Sequence, residues 1–438
     1  MCGHLSVFLY LEMRELVKYK KDAILDRRHL DMKYNVMVSV LCTTYNHEKF
    51  IGDALNGILN QKTNFKYEVI VHDDASTDNT VNILHSYERE YADCVKLILQ
   101  AENQFQKGQN IASEYMFPLI QGKYVAFCEG DDYWVDEYKL QKQIDFLETN
   151  PEYSMCMHNA YRLNYETGEQ KKLDTFPDSG TYDQEKQILA GLGTDFPAFA
   201  SYVLRTEFLE KMPEFFMKAK VLDYPLRQYY ANCGKIYYFS DPMSVYRVST
   251  PNSYMKQTAE KQGLYNQYTI GMIRFFESLN NYTEKKFQHI LESKIDSDYW
   301  GFCTSVSEKV GMRLAVTEKL DINKIMSCYK KLRLDYLDEC VQELYKESRH
   351  LFIYGTSRLA MICKEQLQNG RIQFGGFVVS DNQMKPDMID GEKVYYLSEV
   401  LARYENIGLV LAVQPVNVNV IVQTLKKRGV DQYCVPYT

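Results

Sequence analysis

From Val36 onward the chain alternates strand-like and helix-like stretches with little sequence between them, and this alternation narrows the possible architectures more than any other feature. VMVSVLC (36–42) is a short apolar, β-branched run with no polar face, as expected of a strand covered on both sides. In EKFIGDALNGILNQ, which follows, the apolar residues fall as Phe50 and Ile51, Ala54 and Leu55, Ile58 and Leu59, the spacing of a helix with one buried stripe. YEVIVHDD reads as a second strand and STDNTVNILHSYEREY as a helix, with Ser76 or Asp78 available to cap its free N–H groups. VKLILQ, a helix through IASEYMFPLI, and the strand YVAFCEG continue the pattern. Such a β-α-β-α order implies an α/β fold with a mainly parallel sheet between helices.

In sheets of this kind ligands bind outside the carboxyl ends of the strands, so the residues at those ends matter most. Here they are TTYN (43–46), DDASTD (73–78) and EGDDYW (129–134). Adjacent carboxylates repel one another and are costly to desolvate, so the cluster Glu129, Asp131, Asp132 needs a cation, an array of N–H donors or open water. A solvated turn would satisfy that need. So would a divalent cation such as Mg²⁺ bridging carboxylate and pyrophosphate, since the strand ends are too acidic to hold a phosphate directly. The absence of GxGxxG argues against a dinucleotide fingerprint in this half.

VSVLCTTYNHEKFIGDALNGILNQ, YEVIVHDDASTDNT and YVAFCEGDDYW, in this order and spacing, resemble the inverting family 2 glycosyltransferases of GT-A fold over about residues 36–255. The resemblance implies that Thr43 and Tyr45 line the nucleotide pocket and that Asp74 hydrogen-bonds the base. It also implies that Asp131 reaches the ribose or the metal, and that Asp132 binds the Mn²⁺ or Mg²⁺ holding the diphosphate. Two positions depart from the family: Glu129 stands where Asp is usual, and YRVS ends in Ser249 where relatives have His. Taken alone, Thr43 and Tyr45 could simply end a strand, Asp73 and Asp74 could cap a helix, and Arg247 could pair with phosphate or sit in a buried salt bridge.

Inverting transfer also needs a carboxylate to take the proton of the acceptor hydroxyl. Asp223 opens a helical pattern marked by Leu226, Tyr229 and Tyr230, and is either its cap or that base; the resemblance implies the base. Lys107 reads as a solvated loop residue, and His72 and His158 as structural, because neither has a second His or Cys at ligand spacing.

The whole chain divides by pattern into four parts. Residues 1–34 form an N-terminal helical arm in which apolar LSVFLYL precedes a basic stretch (Lys18, Lys20, Lys21, Arg27, Arg28), suited either to docking on the core or to peripheral association with an anionic membrane. Residues 35–255 form the GT-A domain, 256–345 a helical connector, and 346–438 a second small Rossmann-like α/β domain opened by GTSRLA. That turn has one glycine, a weak dinucleotide signal, and an interaction or scaffold role is preferred for the domain.

The 438 residues carry a net charge of −7, with no basic stripe for nucleic acid, and eleven cysteines without a CxxC pair, which points to a reducing cytoplasm, at or near the inner face of the membrane. No apolar run is long enough to cross a bilayer. The function expected is metal-dependent transfer of a sugar from a UDP-linked nucleotide-sugar donor to a hydroxyl of a cell-surface glycan or lipid-linked precursor. A non-catalytic nucleotide-binding assembly module and an NAD-dependent sugar-modifying enzyme acting through the C-terminal domain are the other classes considered.

Overall fold

The computed structural model describes residues 35–173, 175–189, 196–219, 221–251, 253–333, 338–381, 383, 385–413 and 415–436; the arm expected over 1–34 lies outside them. The chain divides into two compact units, the first ending at Ser253 and the second running from Tyr254.

The first unit is built on one mixed sheet. Its parallel half comprises β1 (Val38–Thr44), β2 (Tyr67–Asp73), β3 (Val95–Leu99) and β4 (Tyr124–Phe127), in the order β3-β2-β1-β4. Beyond β4 the sheet continues through β9 (Val203–Arg205), β6 (Tyr153–Asn164), β10 (Lys235–Val248) and the two-residue β5 (Tyr133–Trp134). Strands β9 and β5 are antiparallel to their neighbours, whereas β6 and β10 run parallel. The short strands β7 (Gln170–Lys172) and β8 (Gly180–Tyr182) attach to β6 and β10.

Helices α1 (Ile51–Leu59), α2 (Thr80–Glu90) and α3 (Lys139–Thr149) cover this sheet. The predicted stripe of α1 is the buried one, through Ile51, Ala54, Leu55 and Ile58, and Leu140, Ile144 and Leu147 do the same for α3. These side chains join Val38, Val40, Val69, Val71 and Ala126 in one core. Each large aliphatic side chain so buried contributes about 1.5–3 kcal/mol.

Register places the functional strand ends. In the β1–β2 pair Val38 lies opposite Tyr67 and Thr44 opposite Asp73, so both strands finish level at the carboxyl edge. β4 pairs with β1 only as far as Phe127 and then leaves it. After Cys128 to Asp132 the chain pairs again, Tyr133 and Trp134 lying opposite Val245 and Ser244 of β10. The Trp134 indole N–H donates to the Ala200 carbonyl at 2.9 Å and anchors this crossing. The acidic loop is therefore strung between the parallel half of the sheet and the end of β10.

Two local expectations change. The helix expected through IASEYMFPLI is a π-helical turn at Ala112–Met116 followed by a 3₁₀ turn at Phe117–Leu119; Pro118 has no N–H to continue an α-helical ladder. At the start of α2 it is Asp78 that accepts the Thr80 N–H, at 2.9 Å, while the Ser76 hydroxyl donates to Asp73.

In the second unit, helices between Tyr254 and Glu347 precede a sheet in the order β13-β14-β12-β11-β15-β16, formed by His350–Tyr354 (β11), Phe377–Val379 (β12), Met388–Ile389 (β13), Glu392–Tyr396 (β14), Ile407–Leu411 (β15) and Tyr433–Cys434 (β16). All its pairs are parallel except β13–β14. The helix Gln288–Ser305 packs against the helix Pro415–Lys427, so the helical stretch and the small sheet belong to one compact unit. Gly355, in the GTSRLA turn, has φ of 119°, and a Cβ there would lie 2.8 Å from the Ala412 carbonyl oxygen. Among the described residues no helix is long and apolar enough to cross a membrane.

Candidate active site

The end of β1 ties the other two strand ends to itself through its main chain. The Thr43 carbonyl accepts the Gly130 N–H at 2.8 Å, and the Thr44 carbonyl accepts the Asp74 N–H at 3.0 Å. Gly130 lies so close to the first loop that a Cβ would sit 2.9 Å from both Thr44 Oγ1 and His47 Nδ1, which explains a glycine between acids. Asn46, at φ 54°, accepts the Thr77 N–H on its side chain at 2.7 Å and donates its own N–H to Ser76 Oγ at 2.8 Å. The side chains of Thr43 and Tyr45 are partly exposed on this edge.

Asp73 and Asp74 have different tasks. Asp73 closes a local turn, accepting the Ser76 N–H at 2.9 Å and the Ser76 hydroxyl. Asp74 accepts the main-chain N–H groups of Gln104 at 2.8 Å and Phe105 at 3.0 Å, one on each carboxylate oxygen. Neither carboxylate caps α2, and Asp74 instead holds the loop after β3 beside the strand ends. Burial raises the Asp74 pKa, and the two N–H donors partly oppose that rise.

Within the acidic loop, Glu129 and Asp131 are partly exposed and Asp132 is buried. Asp132 Oδ1 accepts the Arg247 N–H at 2.8 Å; its Oδ2 is buried without a hydrogen-bond partner. Burial, reinforced by Asp131 and Glu129, raises the Asp132 pKa well above the carboxylate range. Asp131 accepts the Thr250 hydroxyl at 3.2 Å, and its carbonyl accepts from Arg247 Nη1 at 2.8 Å. Arg247 also pairs with Asp53 and lies 4.3 Å from the Tyr133 ring centre and 5.2 Å from that of Phe50. Arg247 thus sits in an ion pair in which its own side chain is buried and that of Asp53 is exposed.

Asp223 is the first residue of α4 (Asp223–Cys233), and its carboxylate accepts only the adjacent Tyr224 N–H, at 2.7 Å, among the bonds seen; the residue at the cap position, Leu222, makes no side-chain capping bond. Burial raises its pKa, against the Tyr224 N–H and Arg227. Glu129 is raised by burial, then by Asp131 and by Asp223. The Tyr246 hydroxyl, on β10, is raised by burial and then by all four of Asp132, Glu129, Asp223 and Asp131. Asp223 therefore shares one electrostatic site with a loop some ninety residues earlier in the chain.

The residues fit a hard divalent cation. Asp131 and Asp132 offer oxygen ligands, and the buried, unpartnered Asp132 Oδ2 is a group that a cation would relieve. Among the described residues no cluster of three or more His, Cys, Asp or Glu could hold a metal unaided. Ser249, directly after β10, has φ of 62°. Such a set suits an ion that takes its remaining ligands from a diphosphate and water.

Sequence reasoning did not find Asp53, Tyr246, Thr250 or the Gln104–Phe105 amides, all of which reach the site by long-range packing; only Tyr246 carried a signal, being next to Arg247 in the quoted YRVS. Lys107 is ion-paired with Glu102. His72 and His158 are buried, the first against Gln100 Nε2 at 3.1 Å and the second against the Asn159 carbonyl at 2.6 Å.

A mixed sheet with an acid-bearing loop at its carboxyl edge and a partly exposed aspartate opening the helix Asp223–Cys233 is the arrangement that the resemblance to GT-A domains implies. Residues 39–213 match the family model described as glycosyl transferase family 2. The matched span holds Thr43, Tyr45, Asp74, Asp131 and Asp132 and ends before Asp223.

An uncharacterized protein of Mycobacterium tuberculosis is 34% identical over 211 residues, which cover 48% of this chain and 58% of that protein, so the alignment spans little more than half of the relative. An Escherichia coli enzyme named UDP-Glc:alpha-D-GlcNAc-diphosphoundecaprenol beta-1,3-glucosyltransferase is 34% identical over 113 residues, 26% of this chain and 42% of that one. The solved S. aureus TarS 1–349 chain aligns with 70% of this chain and 94% of its own, at 17% identity and a TM-score of 0.43, too distant to bear on donor or mechanism.

Proposed function

We propose that this protein is a metal-dependent inverting glycosyltransferase that moves a sugar from a UDP-linked donor to a hydroxyl of a cell-surface glycan or its lipid-linked precursor. The observation that carries the reading is the convergence of Asp223 on Glu129, Asp131 and Asp132, four acids whose electrostatics meet at Glu129 and Tyr246. The family-model match over residues 39–213 supports the reaction class. The name of the E. coli relative, a UDP-glucose-dependent transferase acting on a diphosphoundecaprenol-linked sugar, supports the donor and acceptor classes.

In this mechanism the β1 end and Asp74 receive the nucleoside, with Thr43 and Tyr45 along its edge. The second lone pair of each Asp74 oxygen remains available to the base, because the Gln104 and Phe105 amides occupy one each. Asp131 and Asp132 would hold Mn²⁺ or Mg²⁺ when the donor diphosphate is bound. The bound cation would offset the negative charge that develops as the nucleoside diphosphate leaves. Asp223 accepts the proton of the acceptor hydroxyl, and its burial-raised pKa makes it a stronger base than a solvated carboxylate.

The test is a panel of nucleotide sugars screened by thermal shift with and without Mn²⁺. Stabilisation by UDP-sugars that requires the metal supports the reading, and indifference to every nucleotide sugar overturns it.

A further inference from the structure

Asp53 lies on α1, away from the strand ends that mark the site, and its side chain is 55% exposed. Its partner, the Arg247 guanidinium, is 8% exposed and grips the acidic loop from three sides. The Arg247 main-chain N–H bonds Asp132 Oδ1 at 2.8 Å, Nη1 bonds the Asp131 carbonyl at 2.8 Å, and the guanidinium plane lies 4.3 Å from the Tyr133 ring centre. Asp53 engages the second terminal nitrogen, Nη2.

We propose that Asp53 is a positioning residue for the donor site: by holding Arg247 Nη2, it keeps the guanidinium on the loop's carbonyl and off its carboxylates, leaving Asp131 and Asp132 available to a cation. This rests on the metal and donor reading above.

The argument is one of charge balance. A guanidinium this buried is costly without a counter-anion. With Asp53 neutralised, the guanidinium is left bonded to the Asp131 carbonyl, on the loop that carries the Asp131 and Asp132 carboxylates. Arg247 would then compete with the divalent ion for the same oxygens. A planar fork is needed for this division of labour, one nitrogen on the carbonyl and another on Asp53, and a lysine ammonium cannot reproduce it.

The experiment is a titration of the full chain with Mn²⁺ in the presence of UDP, for wild type, Asp53→Asn, Asp53→Glu and Arg247→Lys. Asp53→Asn should weaken Mn²⁺ binding roughly 2- to 30-fold, the span typical of coupling through an intermediate residue. It should raise KM for the donor more than it lowers kcat, and Asp53→Glu should restore most of the loss. Arg247→Lys should also weaken binding, and adding Asp53→Asn to it should cost little more.

A merely structural pair would lower the melting temperature and leave the Mn²⁺ titration unchanged; that result overturns the proposal, as does failure of Asp53→Glu to rescue a destabilised Asp53→Asn. If wild type binds no Mn²⁺ with UDP, the donor reading itself fails. The positioning claim is then decided by amide hydrogen exchange over 129–134 in the ligand-free proteins, where unchanged protection in Asp53→Asn refutes it.

Discussion

Asp132 and Arg247, 115 residues apart, are joined by a 2.8 Å hydrogen bond from the Arg247 main-chain N–H to Asp132 Oδ1. This contact fastens the acidic loop to the end of β10, and it leaves the other Asp132 oxygen buried and unpartnered.

Replacing Asp132 by Asn keeps an oxygen that can accept the Arg247 N–H and removes the charge. Asp132→Asn and Asp131→Asn should both fold, with metal-dependent UDP-sugar binding lost by calorimetric titration. A variant with a wild-type metal titration would remove that residue from the ligand set.

Gly130→Ala would place a methyl group 2.9 Å from Thr44 Oγ1 and His47 Nδ1. Relief requires the acidic loop to move away from the first strand, breaking the Gly130 N–H bond to the Thr43 carbonyl. The expected cost is about 1–3 kcal/mol of stability by urea unfolding, together with weaker donor binding. Unchanged stability would mean that the loop has room to adjust.

His72 supplies a pH signature. Burial lowers its pKa from 6.5 to about 4, so the folded protein refuses a proton that the unfolded chain accepts. Its contribution is complete above pH 6.5 and is lost as pH falls from there towards about 4. At its steepest the loss approaches roughly 1.4 kcal/mol per pH unit. Unfolding free energies of wild type and His72→Gln, measured across this window, should differ in slope; equal slopes would refute the assignment.

Much of this site is legible in the sequence because parallel α/β sheets bring their carboxyl ends to one edge. Residues near the ends of β1, β2 and β4, from Thr43 to Asp132, meet there as the alternation predicts. Asp223 could be placed only by resemblance, since nothing local separates a base from a cap; in the structure it is the first helical residue, and its carboxylate accepts one free N–H of the helix start, that of Tyr224. Arg247, Asp53 and Tyr246 were not legible as a group. Their roles come from where β10 ends relative to α1 and the acidic loop, a tertiary relationship that leaves no periodic trace. The IASEYMFPLI segment failed for a local reason, Pro118, that the sequence did display.

The acid limb of the transfer reaction should reflect Asp223. Because burial raises its pKa above the ordinary 3.8, the base is protonated at a higher pH than a solvated aspartate. Rates measured at saturating donor should therefore fall as pH is lowered, beginning at a higher pH than for a solvated aspartate. A rate that holds steady down to pH 4 would show that Asp223 is not the base.

The central claim is tested most directly by nucleoside diphosphate release and sugar transfer from UDP-sugars with Mn²⁺, compared between wild type and Asp223→Asn. Wild type should turn over only with the metal. Asp223→Asn should bind donor with near wild-type affinity and transfer about 10²–10⁴-fold more slowly, the usual contribution of a general base. Turnover by Asp223→Asn at the wild-type rate, or a wild-type protein inert towards every nucleotide sugar, would contradict the account.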